Sequence, residues 1–144
     1  MEKHFSAGGV LVNSKNEIYL INQIERGEWL LPKGGIEKGE TETDAGMREI
    51  REETGYQDIE LLNKKPIFIQ HYTFVHPKTN QEIDKTVSFF LYKLLTEKHL
   101  ETEEMNTEKL KGNWFEIDRA IETVSFEELK TVIRNARDIL QSIE

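Results

Sequence analysis

Cysteine is missing from this sequence, proline occurs three times, and no apolar run approaches a membrane span. Without thiols there is neither a disulfide framework nor a thiolate metal site, and a reducing compartment fits. A transmembrane helix needs roughly 18 consecutive apolar residues. The opening MEKHFSAGGVLV carries one Lys and a short apolar segment cut by Ser6, Gly8 and Gly9, unlike a secretory signal. The expectation is a cytoplasmic protein with no membrane partner. Aspartate is also scarce, with 5 Asp beside 22 Glu and a formal net charge of −8 at pH 7. Such a balance disfavours a broad nucleic-acid footprint, which would need clustered Lys and Arg. A local basic pocket stays open. No repeat, low-complexity tract or Pro/Gly/Ser linker divides the chain, so residues 1–144 read as one domain. A domain of this size buries roughly two thirds of its unfolded surface and needs no staples.

Residues 4–12 and 17–23 predict two strands joined by the turn Ser14-Lys15-Asn16, the second alternating around Ile18, Leu20 and Ile24. A Gly-rich loop runs from Gly34 to Gly39. Thr41, with Asp44 three residues on, predicts a capped helix that ends at Gly55. Residues 66–76 and 82–95, rich in Ile, Phe, Val, Tyr and Thr, read as long strands around the turn His76–Asn80. A short strand covers 112–117, and Asp118 can cap a one- or two-turn helix. Ser125 with Glu128 predicts a capping box for an amphipathic helix reaching the C-terminus, its stripe starting at Phe126 and Leu129. The order suggests a mixed sheet with helices on opposite faces, α+β in class.

Within the first helix, Glu49, Glu52 and Glu53 fall at i, i+3 and i+4 and project from one face. Like charges so placed repel, and Arg48 and Arg51 are available to relieve them. Glu40 is placed to pair with Arg48 and pin the loop to the helix. Ala45 and Ile50 mark a buried stripe beside Glu49, which draws that carboxylate towards the sheet. A hard cation such as Mg²⁺ takes oxygen ligands, commonly one or two carboxylates with water and substrate phosphate. Three Glu and a glycine-loop carbonyl supply such donors. Gly46 stands inside this helix at a cost of about 1 kcal/mol relative to Ala.

The segment resembles the signature of the Nudix hydrolase family, G-x5-E-x7-R-E-U-x-E-E-x-G-U with U a bulky apolar residue. Gly34, Glu40, Arg48, Glu49, Ile50, Glu52, Glu53, Gly55 and Tyr56 meet it, Tyr56 filling an apolar slot with an aromatic ring. The resemblance implies an α/β/α sandwich, a mixed sheet between helices with the signature forming loop–helix–loop. It implies hydrolysis of nucleoside diphosphate-linked substrates by water attack at phosphorus. Glu49, Glu52 and Glu53 would ligate Mg²⁺ or Mn²⁺, two or more ions with substrate bound, helped by the Gly34 or Gly35 carbonyl. Glu52 or Glu53 would serve as general base. Relatives also place an acidic residue before the strand matched by Trp114-Phe115; Glu108 falls nearest that place, with Glu103 and Glu104 competing.

Outside the signature, Trp29-Leu-Leu-Pro32-Lys33-Gly34 and Phe5-Ser-Ala-Gly-Gly-Val10 resemble the diadenosine polyphosphate hydrolase branch, chiefly its bacterial members. His71-Tyr72-Thr73-Phe74 with Lys85–Leu91 resembles that branch's paired strands. An aromatic ring can stack on adenine, and Lys offers a point charge to phosphates. By that resemblance Lys33, Tyr72, Lys85 and His71 are the substrate-binding candidates. The leading expectation is a dinucleoside polyphosphate hydrolase, monomer or homodimer, acting on a small nucleotide and not on nucleic acid. Alternatives are a (deoxy)nucleoside triphosphate pyrophosphohydrolase, RNA 5′-end pyrophosphate removal, and a non-catalytic nucleotide-sensing module. ADP-ribose cleavage is disfavoured.

Overall fold

A computed structural model describes residues 1–143. Its centre is a parallel ladder between β1 (Glu2–Val12) and β7 (Glu82–Leu94), in register from Glu2↔Ile83 to Val12↔Lys93. On one side β2 (Glu17–Gln23) turns back antiparallel, carrying β3 (Glu28–Leu30) and β8 (Leu110–Glu116). Short β4 (Lys33–Gly35) pairs with β1, while β5 (Ile59–Leu61) and β6 (Phe68–Val75) pair with opposite ends of β7. Helices α1 (Glu42–Thr54), α2 (Glu103–Thr107), α3 (Ile117–Thr123) and α4 (Glu127–Ser142) complete the chain. Helix α4 was expected to reach the C-terminus; residue 144 lies outside the described residues.

Neighbouring residues of the central strands feed two separate cores, because successive side chains of a strand point to opposite faces. Val10, Ile18 and Leu91 join Leu129, Val132, Ile133 and Ala136 of α4. Leu11, Tyr19 and Tyr92 join Ala45 and Ile50 of α1. The sheet is therefore sandwiched between α1 and α4, as expected. Ile18, Tyr19, Leu20 and Ile21 are all buried, so β2 is covered on both faces rather than alternating. Ile24 lies beyond its end and is exposed.

Helix α1 is capped by Thr41, whose hydroxyl accepts from the Asp44 amide at 3.1 Å, and stops at Gly55 in the left-handed region, φ 85°. Gly46 now has a reason. A Cβ there would lie 2.4 Å from the Tyr92 hydroxyl oxygen, which donates to the Thr43 carbonyl at 2.7 Å. The glycine lets a fully buried tyrosine hold the first turn of α1 against the sheet.

Three expectations are corrected. Asp118 is not the cap of α3 but lies in its first turn, its amide donating to the side chain of the actual N-cap, Glu116, at 3.4 Å. Ser125 is not the cap of α4: its hydroxyl accepts from the Trp29 amide at 2.8 Å and its own amide donates to the Trp29 carbonyl at 3.0 Å. Tied to β3 on both sides, it cannot turn to the helix, which starts at Phe126 with no side-chain cap. Glu128, its expected box partner, meets Gln70 of β6 instead, at 3.2 Å. Arg51 does not relieve the carboxylates either; it turns to the Gln57 carbonyl, 2.9 Å away, beyond the helix end.

Candidate active site

Arg48 organises the carboxylate face. It makes two bonds to Glu40, at 2.8 and 2.9 Å, and one each to Glu49 at 2.8 Å, Glu52 at 3.2 Å and the Gly35 carbonyl at 2.8 Å. The loop is thus pinned to the helix through Glu40, as the spacing suggested. Hydrogen bonds from Arg48 and from the Glu37 amide pull the Glu40 carboxyl down to about 2. Gly34 lies directly against Glu49, where a Cβ would stand 2.1 Å from the carboxyl carbon. A side chain there would displace the Glu49 carboxylate from its place against the backbone.

Glu49 and Glu53 are 9% and 7% exposed, deep for carboxylates. Burial pushes both up, Glu53 strongly, and the neighbouring Glu108 raises them further. Glu53 accepts from the Lys33 amide at 2.9 Å. Of the three residues left open by the sequence, the structure brings Glu108 to Glu53. Glu108 is raised by its own partial burial and then by Glu104 and Glu52. Glu103 and Glu104 stay on α2, and only Glu104 is felt at the site. Arg48 serves Glu49 and Glu52, while the Glu53–Glu108 pair has Lys33 beside it. Carboxylate oxygens of this kind suit a divalent cation. Among the described residues no three acidic or histidine side chains converge into a ready-made cage. An ion completed by water and substrate phosphate needs no such cage.

Lys33 reaches the same place from β4. Burial and the adjacent Lys85 push its ammonium down to about 8, against the opposing pull of Glu53 and Glu49. Lys85 is the cross-strand partner of Tyr72, and strand alternation sets both on the α4 side of the sheet. Lys33, Glu53, Tyr72 and Glu108 border one cleft of about 750 Å³. His71 does not: one residue from Tyr72, it faces the other side of the sheet, exposed and paired with Asp84. The period of two along a strand carried that signal in the sequence. Phe126 was missed in the opposite sense. Placed in the core stripe of α4 by its spacing, it is 48% exposed and lines the cleft with Leu129.

The NUDIX domain family model matches residues 2–140. Over 127 residues the chain is 31% identical to an RNA pyrophosphohydrolase of Ruthia magnifica subsp. Calyptogena magnifica, covering 83% of this chain and 71% of that protein. It is 36% identical over 67 residues to Nudix hydrolase 25 of Arabidopsis thaliana, covering 46% of this chain but only 38% of the relative. The crystal structure of a C. elegans Ap4A hydrolase binary complex aligns with a TM-score of 0.73 at 21% identity, over 96% of this chain and 98% of that one. At that identity the likeness speaks for the fold. The family match and the pyrophosphohydrolase relative define the class, a hydrolase acting on pyrophosphate bonds. The chain belongs to the Nudix family.

Proposed function

We propose that the protein hydrolyses a phosphoanhydride bond of a dinucleoside polyphosphate, diadenosine tetraphosphate being the representative substrate, with Mg²⁺ or Mn²⁺ as cofactor. The observation that carries this reading is the single cleft bordered by both Glu53–Glu108 and the rings of Tyr72 and Phe126. A polyphosphate with an aromatic base at one end has the same two chemistries in the same order. Residues 1–144 form one such domain in this reading.

Glu49, Glu53 and Glu108, with the Gly34 backbone beside them, would hold the ions. When bound, these neutralise phosphate charge and acidify the attacking water. Lys33 and Lys85 add positive charge to the phosphate path, and the rings orient the base. Glu52, half-buried where Glu49 and Glu53 are closed off, is best placed to take a proton from water. Arg48 keeps Glu52 and Glu49 aimed.

A second reading, removal of pyrophosphate from RNA 5′ ends, is favoured by the name of the Ruthia relative. The net charge of −8 weighs against extended contact with nucleic acid. Product analysis in Mg²⁺ separates the cases. The expected result is ATP plus AMP from diadenosine tetraphosphate. Monophosphate plus pyrophosphate from triphosphates alone, or turnover of triphosphorylated RNA alone, overturns it. Glu52→Gln should cost about 100-fold or more in kcat. Wild-type rates in that variant would remove Glu52 from the base role, and no turnover of any nucleotide by the wild type would favour a sensor.

A further inference from the structure

The last carbonyls of an α-helix have no partner within the helix and must find one outside it. At the C-terminal end of α1 the Gly55 amide serves the Arg51 carbonyl, and one returning segment, residues 98–102, serves those of Glu52, Thr54 and Gly55. The Lys98 carbonyl accepts from the Gln57 amide at 3.2 Å, and the Leu100 amide donates to the Gly55 carbonyl at 2.8 Å. His99 Nε2 lies 2.8 Å from the Thr54 carbonyl; a carbonyl only accepts, so this nitrogen carries the proton. The Thr102 hydroxyl donates to the carbonyl of Glu52 itself.

Thr102 does a second thing. It is the N-cap of α2, its hydroxyl oxygen accepting from the Met105 amide at 3.2 Å. Helix α2 is five residues long and its C-cap is Glu108. The Glu108 carbonyl is held from the other side by Gln23 Nε2 at 3.1 Å, and Lys109 follows in the left-handed region at φ 56°. One hydroxyl therefore spends its only proton on the carboxylate helix and its lone pair on the turn that presents Glu108.

We propose that Thr102 is the positioning residue that sets the spacing between the α1 carboxylates and Glu108, and so the affinity of the site for a divalent cation. This rests on the metal role assigned above. Thr102 touches neither metal nor substrate; it acts through the backbone of Glu52 and through α2.

The test is Mn²⁺ binding to the full chain by calorimetry, without nucleotide, alongside turnover as a function of Mg²⁺. Thr102→Val keeps the shape and loses both bonds; it should weaken Mn²⁺ binding about tenfold or more, the scale on which outer partners tune metal sites. The Mg²⁺ concentration for half-maximal rate should rise in parallel, with KM for nucleotide little changed. Thr102→Ser keeps both bonds and should restore affinity to within about twofold, on the same scale. Thr102→Ala serves in place of valine if that variant fails to fold. A lower melting temperature with unaltered Mn²⁺ affinity overturns the proposal, as does a serine variant as impaired as valine. Wild-type protein that turns over nucleotide yet binds no Mn²⁺ overturns the metal reading and this proposal together. Wild-type protein that binds Mn²⁺, weakened by valine, yet turns over nothing leaves Thr102 in its role and removes only the substrate.

Discussion

Arg48 and Glu40 form a two-bond fork, and such pairs are geometrically specific in a way that a Lys–carboxylate contact is not. The consequence is legible in acid. The Glu40 carboxyl is lowered from 4.5 to about 2, so its stabilisation is complete above pH 4.5 and lost as pH falls through about 2. Glu40→Gln should be less stable than wild type at neutral pH, and the gap should close between pH 4.5 and 2. Urea midpoints of the two proteins across that range measure it; a gap independent of pH would show that the fork contributes nothing by charge. At this scale the sequence was most informative where partners are close along the chain. Glu40, Arg48, Glu49, Glu52 and Glu53 were all legible, since loop and helix spacing brings them together. The error at Arg51 arose because a helix position alone does not show that a carbonyl past the C-cap competes for its guanidinium.

Helix α1 illustrates two opposed local effects whose magnitudes decide the outcome. Replacing Gly46 by Ala recovers about 1 kcal/mol of helix propensity. It also drives a Cβ to 2.4 Å from the oxygen of a tyrosine that is fully buried and cannot swing aside. Overpacking of this kind costs about 1–3 kcal/mol. Gly46→Ala should therefore be net destabilising, and Tyr92→Phe in the same chain should recover part of the loss. Denaturant midpoints of the two single variants and the double variant give the coupling. A more stable Gly46→Ala protein would refute the packing account. The long elements were readable, β1, β2, β6, β7, α1 and α4, because each spans several periods of its pattern. The short ones were not. β3, β4, β5 and α2 run three to five residues, too few for any period to register. Helix α2 mattered most, since its turn brings Glu108, and neither Glu103 nor Glu104, to Glu53. Ser125 misled because Ser-x-x-Glu before an apolar run fits a capping box, while its actual partner, Trp29, is 96 residues away.

The whole molecule divides its labour by face. Tyr72 of the cleft packs on the α4 core, while Glu49 and Glu53 stand on α1, whose Ala45 and Ile50 belong to the other core; the two sides meet where the Lys33 amide of β4 donates to Glu53. In the proposed function, binding and chemistry therefore fall to separate packed layers. That organisation was legible as a mixed sheet between helices, but the pairing of the first strand with the seventh was not, because parallel partners leave no turn signal between them. This ladder also governs the time the chain takes to find its shape. Residue 2 pairs with residue 83 and residue 12 with residue 93, so the central sheet closes only after most of the chain has been made. Non-local pairing of this kind slows folding into the range of milliseconds to seconds. Stopped-flow refolding should show the Trp29 and Trp114 signals developing on that scale, and microsecond completion would contradict it. A nascent chain released before β7 emerges holds every carboxylate of α1 and no sheet centre to set them against.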